Sequence, residues 1–492
     1  MLGYTSENLA LHTLTRLPCA DFGRIFMRLC VLPLFIGIAA LCSPAAASSE
    51  PFDTAALMPP RPFLQEQDTE SVDRPCQAPA FDAPLGVLEA VDLALCHNPQ
   101  TRELWANARG QAAQVSVAQA AYLPNLDGKL STARLASSAL NGQQSGASLS
   151  LSWLLFDFGT RAANLENAHQ LLLAAASTLD ATLQTLFLSA VQSYYNAQAA
   201  RAALAAAQAS EKASRASFSA AEVRYQVGVG TPADRLQAQT AWSQATLNRI
   251  KAEGEQRNSL GVLANVMGLD ADQPLLLADM AVLTPDTSFE QEQDIAALIE
   301  EARQRRPDLK AAEAQARAAQ TGIDAARAAA LPTLSLGAGP SWQESGGFSS
   351  YSHSLGLTLN VPIFSGYAST YKIRAAEAQQ EIKAAQRERI RLQVALDVWK
   401  AYQNLITASQ SLKTSADLLA SAEQSERVAL GRYKAGVGTL IDVLNAQSAL
   451  AAARLQRIQA RLDGQVYRAT LAQALGKLDS SLLQTAASGK FP

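Results

Sequence analysis

Residues 225–234 read YQVGVGTPAD, and residues 433–442 read YKAGVGTLID, 208 positions further along the chain. The pattern Tyr-x-x-Gly-x-Gly-Thr-x-x-Asp is therefore present twice. Other residues recur at the same offset: Pro99 and Pro307, Pro124 and Pro332, Phe156 and Phe364, Gly268 and Gly476. Aligning the two copies takes one insertion near Asp157, which is compensated further along. Solenoid repeats have periods of about 20 to 50 residues, so this offset indicates a duplicated unit the size of a domain.

The duplication sets the predicted domain order. It comprises a signal peptide at 1–47, a proline-rich N-terminal arm at 48–84, a first repeat at 85–268, a linker or equatorial segment at 269–293, a second repeat at 294–476 and a C-terminal tail at 477–492.

The N-terminal segment has the features of an export signal. An apolar run at 29–41 follows Met27 and Arg28 and leads into small residues that end at Ala47. That run is too short to span a bilayer, so we expect cleavage after Ala47, with Met27 as a candidate for the true start. The alternative is a lipoprotein acylated at Cys42. Beyond this segment we expect no apolar stretch of about 18 residues, and therefore no transmembrane helix.

The bulk composition favours long helices and argues against nucleic-acid binding. The net charge is −3, which provides no basic field to attract nucleic acid. Hydrophobic residues make up 48% of the chain, with alanine prominent, and aromatic residues only 6%. Alanine favours helix and buries little area per residue. The composition is therefore typical of long, closely packed helices.

Each repeat predicts a helix, two strands, a long helix and a closing helix. The first copy places them at about 85–122, 126–135, 148–156, 161–224 and 233–267, and the second at about 294–330, 333–342, 354–363, 368–432 and 440–475. Pro124 and Pro332 end the first helices, because proline lacks an N–H and clashes with the preceding turn. Polar loops at 137–146 and 343–353 separate the strands. We expect the two shorter helices of each repeat to stack end to end beside the long one.

The strands and the helices both predict an oligomer. Apolar and polar residues alternate along 148–156, and each strand is long enough to cross a bilayer when tilted. Four strands cannot close a membrane barrel, since the smallest have about eight. Other copies of the chain must then cover the sheet edges and the outer helices. The alternative is an ordinary soluble β-meander.

The repeated turn is explained by local chemistry alone. Gly228 and Gly436 follow the long helices, where glycine accepts the positive φ of a helix end. A threonine then opens each next helix as N-cap, with Asp234 or Asp442 three residues later, which is close to a capping box. These residues therefore predict a tight helix–turn–helix in each repeat.

The layout and the doubled turn resemble the TolC-type outer-membrane efflux and secretion channels, over about 85–476. The resemblance implies a mainly α fold with a transmembrane β part, in which a homotrimer forms a 12-stranded outer-membrane β-barrel continued by a long periplasmic α-helical barrel. The chain would lie in the outer membrane of a Gram-negative cell, in contact with outer-membrane lipid. The spacing around Gly-Val-Gly-Thr and the ending at 267–270 are similar to the CyaE-like type I secretion subgroup.

The resemblance also implies roles for the turn residues. Asp442 would contribute a ring of carboxylates at the pore aperture. Asn445 stands one turn further in, where some members carry a second acidic residue. Asp234 is also a candidate for the aperture, but it fits a helix cap and inter-helix latch better than a pore residue. The tips would dock a periplasmic adaptor (membrane fusion) protein, itself bound to an inner-membrane ABC transporter or other efflux pump: Gly228, Val229, Gly230, Thr231, Gly436, Val437, Gly438, Thr439 and Leu440. Tyr225 and Tyr433 are packing anchors or gate residues.

The residues give little indication of catalysis or metal binding. His97, His169 and His353 are far apart without metal-ligand spacing, and no nucleophile elbow or P-loop occurs. We therefore expect no catalysis, no cofactor and no metal site. Cys76 and Cys96 are candidates for a disulfide in an oxidising periplasm. The alternative function is a periplasmic adaptor or structural coiled-coil protein, and the cargo stays open between protein secretion and drug efflux.

Overall fold

The helices form two sets that match at the 208-residue offset. The first repeat contains α1 (Val87–His97), α2 (Pro99–Ala120), β1 (Asn125–Ala136), β2 (Asn141–Phe156), α3 (Thr160–Gln226) and α4 (Pro232–Val266). The second contains α5 (Ile295–Arg305), α6 (Pro307–Ala328), β3 (Thr333–Ser345), β4 (Phe348–Asn360), α7 (Ala368–Lys434) and α8 (Leu440–Ala474). Each helix of the first set begins and ends 208 positions before its counterpart, so the duplication extends through the backbone.

The computed structural model describes residues 51–54, 56–58, 84–136, 141–278, 294–345 and 347–478. The chain divides into two compact units, 1–53 and 54–492, and the elements above belong to the second. The predicted signal peptide, with Met27 and Cys42, lies outside the described residues. So do most of the N-terminal arm, with Cys76, and parts of the linker and tail.

The predicted continuous helices at 85–122 and 294–330 are each broken in two, which corrects that expectation. The breaks fall before Pro99 and Pro307, which occupy the first helical position of α2 and α6. The residue before a proline is driven out of the helical region, and Asn98 accordingly has ψ 128°. Its side chain caps α2 by accepting a hydrogen bond from the N–H of Gln100 at 2.9 Å.

The shorter helices meet end to end at these breaks. Gly268 follows α4 and lies so close to His97 that an added Cβ would be 2.7 Å from the His97 carbonyl carbon. Asn98 Nδ2 also donates to the Val266 carbonyl at 3.0 Å. At the matching place, a Cβ on Gly476 would be 3.2 Å from the carbonyl carbon of Arg305. Both glycines also have positive φ, 75° at Gly268 and 69° at Gly476, so glycine is favoured at both helix ends.

The strands are longer than predicted, and the loops between them are shorter. β2 begins at Asn141 rather than 148, and β3 extends to Ser345 rather than 342. β4 covers Phe348–Asn360 rather than 354–363. The polar residues assigned to loops continue the antiparallel ladders, since backbone hydrogen bonds need no apolar side chains. Pro362 lacks a ladder donor, consistent with the earlier end of β4.

The four strands form one antiparallel sheet in the order β1-β2-β3-β4. The two hairpins have the same register at the 208 offset, since Asn125 pairs with Ser152 and Thr333 with Asn360. Repeat 1 joins repeat 2 through the β2–β3 pairing. β1 and β4 are left as edges in the single chain, and every position of β4 is exposed.

The helices pack in a row, with α4, α3, α8 and α7 side by side in the half that ends at the turns. Contrary to expectation, α3 contains an 18-residue window that is apolar enough to cross a membrane by length and composition. Half of that window is buried. Leu183, Phe187 and Val191 of α3 instead form a core cluster with Val91 and Leu95 of α1.

The two strand-to-helix junctions align with each other at the 208-residue offset, without any insertion. Phe158 and Gly159 have positive φ before α3, and Gly366 and Tyr367 have positive φ before α7. The insertion expected near Asp157 is therefore not needed. The sequence suggested it because the glycine and the bulky residue exchange places between the two copies.

The first junction is held by a buried ion pair. Asp157 is only 6% exposed, and Arg161 Nε donates to its Oδ2 at 3.1 Å. Arg161 Nη1 also donates to the carbonyls of Leu154 at 2.7 Å and Ala121 at 3.4 Å. Its guanidinium lies 4.7 Å from the ring centroid of Tyr122. One side chain therefore ties β2, the end of α2 and the start of α3 together.

Candidate functional site

Two matched turns at the far ends of the long helices form the candidate site. In the first, the Gly228 N–H donates to the Tyr225 carbonyl at 3.0 Å. The Val229 N–H donates to the Arg224 carbonyl at 3.0 Å. Gly228 has φ 77°, and together these features make a Schellman motif that satisfies the last carbonyls of α3.

The second turn repeats this backbone. The Gly436 N–H donates to the Tyr433 carbonyl at 3.1 Å, and Gly436 has φ 78°. The Val437 N–H donates to the Arg432 carbonyl at 3.0 Å. α3 and α7 therefore end in the same Schellman motif, as the repeated sequence predicts.

The second glycine of each turn lies against the end of the helix that it follows. A Cβ on Gly230 would be 2.9 Å from the Tyr225 backbone nitrogen, and one on Gly438 would be 3.1 Å from that of Tyr433. The approach at Gly230 would force a shift, and the one at Gly438 is tighter than an ordinary van der Waals contact. These two glycines therefore have a packing role that the sequence alone did not reveal.

Reciprocal capping boxes open α4 and α8. The Asp234 N–H donates to Thr231 Oγ1 at 3.0 Å, and the Thr231 hydroxyl donates to Asp234 Oδ2 at 2.7 Å. The Asp442 N–H donates to Thr439 Oγ1 at 3.3 Å, and the Thr439 hydroxyl donates to Asp442 Oδ2 at 2.7 Å. The near capping box expected from the sequence is a full one in both turns.

The two capping aspartates differ in their surroundings. Asp442 is exposed, as is Asn445 one turn further along α8, whereas Asp234 is half-buried. Hydrogen bonds from Thr439 lower the pKa of Asp442, and the nearby charge of Arg432 lowers it further. Asp442 is therefore an ionised carboxylate that faces solvent at the tip while it caps α8.

Apolar side chains project from both tips. Val229 is 71% exposed and Val437 is 69% exposed, at equivalent positions. Val227 and Ile441 are exposed beside them, whereas Leu440 is buried. Most of the predicted tip residues are thus accessible, but Leu440 packs inside the bundle.

Tyr433 is a packing residue that joins the two hairpins. It lies against Ala221 and Ala238 of the first hairpin, together with Leu440. The Arg224 guanidinium lies 4.8 Å from its ring centroid, within cation–π range. This favours the packing alternative for Tyr433.

Tyr225 is more exposed than Tyr433 and has a different partner. It is 39% exposed, and the Arg235 guanidinium lies 5.5 Å from its ring centroid. Arg235 also forms an ion pair with Glu222 between α4 and α3. The hydrogen bond from Arg235 lowers the pKa of Glu222. No sequence motif marks Arg235 and Glu222, so neither was among the predicted site residues.

The described residues contain no group of three or more side chains that could hold a metal ion. Cys96 in α1 is disulfide-bonded. Because Cys76 lies outside the described residues, its pairing with Cys96 stays a prediction.

Comparisons with known proteins agree with this architecture. The family model described as "Outer membrane efflux protein" matches twice, at residues 90–269 and 298–477. Protein CyaE of Bordetella pertussis is 34% identical over 434 residues, covering 86% of this chain and 90% of CyaE. Outer membrane protein TolC of Escherichia coli K12 is 23% identical over 427 residues, covering 80% and 82%.

A solved structure shows the same fold. The crystal structure of CusC superposes with a TM-score of 0.70 at 22% identity, covering 79% of this chain and 92% of CusC. The expected fold class is confirmed as that of the TolC-like trimeric channels. The family consists of channel proteins rather than enzymes. The chain belongs to the outer membrane efflux protein family and is an outer-membrane efflux channel with a long periplasmic helical part.

Proposed function

We propose that this chain is a passive exit duct, opened when an adaptor and its inner-membrane pump dock on the exposed turns. The matched pair of turns carries the proposal. Each stands at the end of a 67-residue helix, about 100 Å long, far from the sheet. Three copies would bring six such turns to one end of the duct and three four-stranded sheets to the other.

Asp442 is the residue that we assign to the aperture. It is exposed and ionised, whereas Asp234 is half-buried in the other turn. Three copies would place three carboxylates around one opening, where they attract cations and repel one another. Asn445 carries no charge, so a single acidic ring is expected.

A matched pair of substitutions distinguishes a role of Asp442 in lining the aperture from a role as a helix cap only. Asp442→Asn removes the charge from one turn, and Asp234→Asn does the same in the equivalent capping box. We expect Asp442→Asn to weaken divalent-cation block of the single-channel conductance, while Asp234→Asn leaves the block unchanged. Equal effects of the two substitutions would mean that Asp442 is only a cap.

The exposed valines are the docking surface that we propose for the adaptor. Gly438 is less suitable for testing this, because a Cβ there would be in tight contact with the end of α7, 3.0 Å from Arg432 Cβ. Val437→Glu adds charge to the same tip without that clash. We expect loss of export with normal trimer levels in the outer membrane. Gln208→Glu, at an exposed site on α3, an inner helix of the row, is the control and should leave export intact. Normal export from Val437→Glu would exclude this docking surface.

Protein secretion is the cargo class that we favour, and resemblance to the CyaE-like subgroup supports it. Small-molecule efflux is the second candidate, supported by the family description. Deleting the channel in its native cell discriminates between them. Loss of a secreted protein with unchanged drug susceptibility supports secretion, whereas hypersensitivity with normal secretion supports efflux.

A further inference from the structure

The two strand-to-helix junctions differ in what fills them. In the first, the Arg161 side chain lies between the end of α2, the end of β2 and the start of α3, where it donates to three backbone carbonyls. In the second repeat, Ser369 takes the position of Arg161, and Ser365 that of Asp157. A cavity of about 290 Å³ lies at this second junction.

The lining of the cavity matches the surroundings of Arg161. The Arg161 guanidinium donates to the carbonyls of Ala121, Leu154 and Leu155. It also lies against the ring of Tyr122. The 208 offset carries these four contacts onto residues that line the cavity: Ala329, Pro362, Ile363 and Ala330. The second junction therefore keeps the place of the guanidinium without the arginine.

The cavity presents carbonyl oxygens that suit a cationic donor. α6 ends at Ala328, and the carbonyl end of a helix carries a partial negative charge. Pro362 and Ile363 follow the last ladder pair of β4, and among the described residues no hydrogen bond is made to their carbonyls. In the first junction the equivalent carbonyls accept from a guanidinium. The second junction thus offers the same acceptors without a donor.

The charges around the cavity disfavour a lone cation. Asp157 neutralises Arg161 in the first junction, whereas Ser365 is uncharged. Among the described residues that line the cavity none is acidic, and Lys372 stands where the first repeat has Asn164. A free amine or metal ion would meet this lysine without a countercharge. A zwitterion fits better, because its ammonium group can face the carbonyls and its anion can face Lys372.

Apolar side chains lead away from the cavity along the sheet. Ile363 is 92% exposed, and Phe364 and Tyr367 beside it are also exposed. The leucines of β4 continue this exposed apolar surface. The junction joins the sheet that crosses the outer membrane to the periplasmic helices, so it lies at the level of the periplasmic headgroups. Aromatic residues are enriched at that level.

We propose that the second junction binds the headgroup of phosphatidylethanolamine from the periplasmic leaflet. The primary ammonium group, which has three N–H donors, donates to the carbonyls of Ala329, Pro362 and Ile363. The phosphate pairs with Lys372, and the acyl chains lie along β4. The lipid then ties β4, the end of α6 and the start of α7 together, as Arg161 does in the first repeat. The inference rests on the outer-membrane position and goes beyond the role of exit duct.

Native mass spectrometry of the detergent-solubilised trimer, titrated with one lipid at a time, tests the site. Phosphatidylcholine has a quaternary ammonium group without N–H donors, and phosphatidylglycerol has a phosphate without a cation. We expect one phosphatidylethanolamine per chain, bound about tenfold more tightly than either of the other lipids, since hydrogen bonds to charged groups contribute about that factor or more. Equal binding of the three lipids would overturn the proposal.

Three variants locate the binding site. Ser365→Asp with Ser369→Arg supplies the ion pair of the first junction and should abolish the preference for phosphatidylethanolamine. Lys372→Asn installs the residue of the first repeat and should weaken phosphatidylethanolamine binding about tenfold. Lys400→Asn, at an exposed site about 40 Å further along α7, is the control and should change nothing. Wild-type binding in both the double variant and Lys372→Asn would overturn the assignment.

Hydrogen exchange in lipid nanodiscs gives a second readout. Amides across residues 362–372 should exchange more slowly in phosphatidylethanolamine than in phosphatidylcholine, and the double variant should lose this difference. The trimer is checked separately by its size in detergent. An intact trimer without lipid preference would refute this inference and leave the channel proposal standing. Protein that needs no detergent and binds no lipid would instead refute the channel proposal itself.

Discussion

Removing the Arg161 side chain should loosen the first strand-to-helix junction. The Asp157 carboxylate and the Arg161 guanidinium are both about nine-tenths buried. In Arg161→Ala the carboxylate would stay buried without its countercharge. Breaking a buried ion pair by removing one partner costs about 3–5 kcal/mol. Asp157 keeps the backbone N–H of residue 161 at 2.8 Å and that of Gly159 at 3.3 Å, so the lower end, about 3 kcal/mol, is expected.

Hydrogen exchange measures this loss locally. A decrease of about 3 kcal/mol in opening free energy makes amide exchange about a hundredfold faster. Mass spectrometry of the peptide across residues 154–165 in the detergent-solubilised protein reports it. Peptides from the turns should not change.

The second repeat provides the matched control. The offset carries Asp157 and Arg161 onto Ser365 and Ser369, whose exposed hydroxyls lie 3.1 Å apart. Ser369→Ala should change exchange at that junction by less than about threefold, because exposed polar contacts contribute little. Exchange in Arg161→Ala that rises no more than in Ser369→Ala would refute the buried-pair reasoning.

Two further predictions concern the second turn. Gly438→Ala should destabilise this turn, because the new Cβ would lie tightly against the backbone of Tyr433. Gly431→Ala, in open space within α7, should instead stabilise the helix by about 0.5–1 kcal/mol. Hydrogen-exchange rates of the turn amides test both substitutions, and equal effects would contradict the close approach at Gly438. The pKa of Asp442 is lowered in the folded state, so its capping contribution is complete above the ordinary value of about 3.9 and is lost as the pH falls through the lowered value. A titration of the Asp442 carboxyl by NMR should show a midpoint below that of Asp442 in a Thr439→Val variant, and an unchanged midpoint would exclude Thr439 as the cause.

The repeated turn could be predicted from the sequence because its chemistry is local. Glycine at a positive φ and threonine before a helix act within a few residues, so both turns and both long helices follow from the pattern. The strand lengths could not be predicted this way. Residues 141–147 look like a loop by composition, yet they pair with β1 because neighbouring backbone supplies their hydrogen bonds.

Contacts between distant parts of the chain also could not be predicted from the sequence. Nothing local marks Ser217 and Gln447 as partners, since they are brought together only by the packing of α3 on α8. The breaks before Pro99 and Pro307 were open to prediction, because proline at the first helical position is a known signal. Helical periodicity on both sides of each proline concealed them.

The most direct test of the central claim is planar-bilayer conductance of the purified, detergent-solubilised protein, with and without a divalent cation. A gated exit duct with an acidic constriction predicts small, cation-selective steps from a trimer, reduced when the divalent cation is added. Protein that stays soluble without detergent and gives no conductance would contradict the channel account.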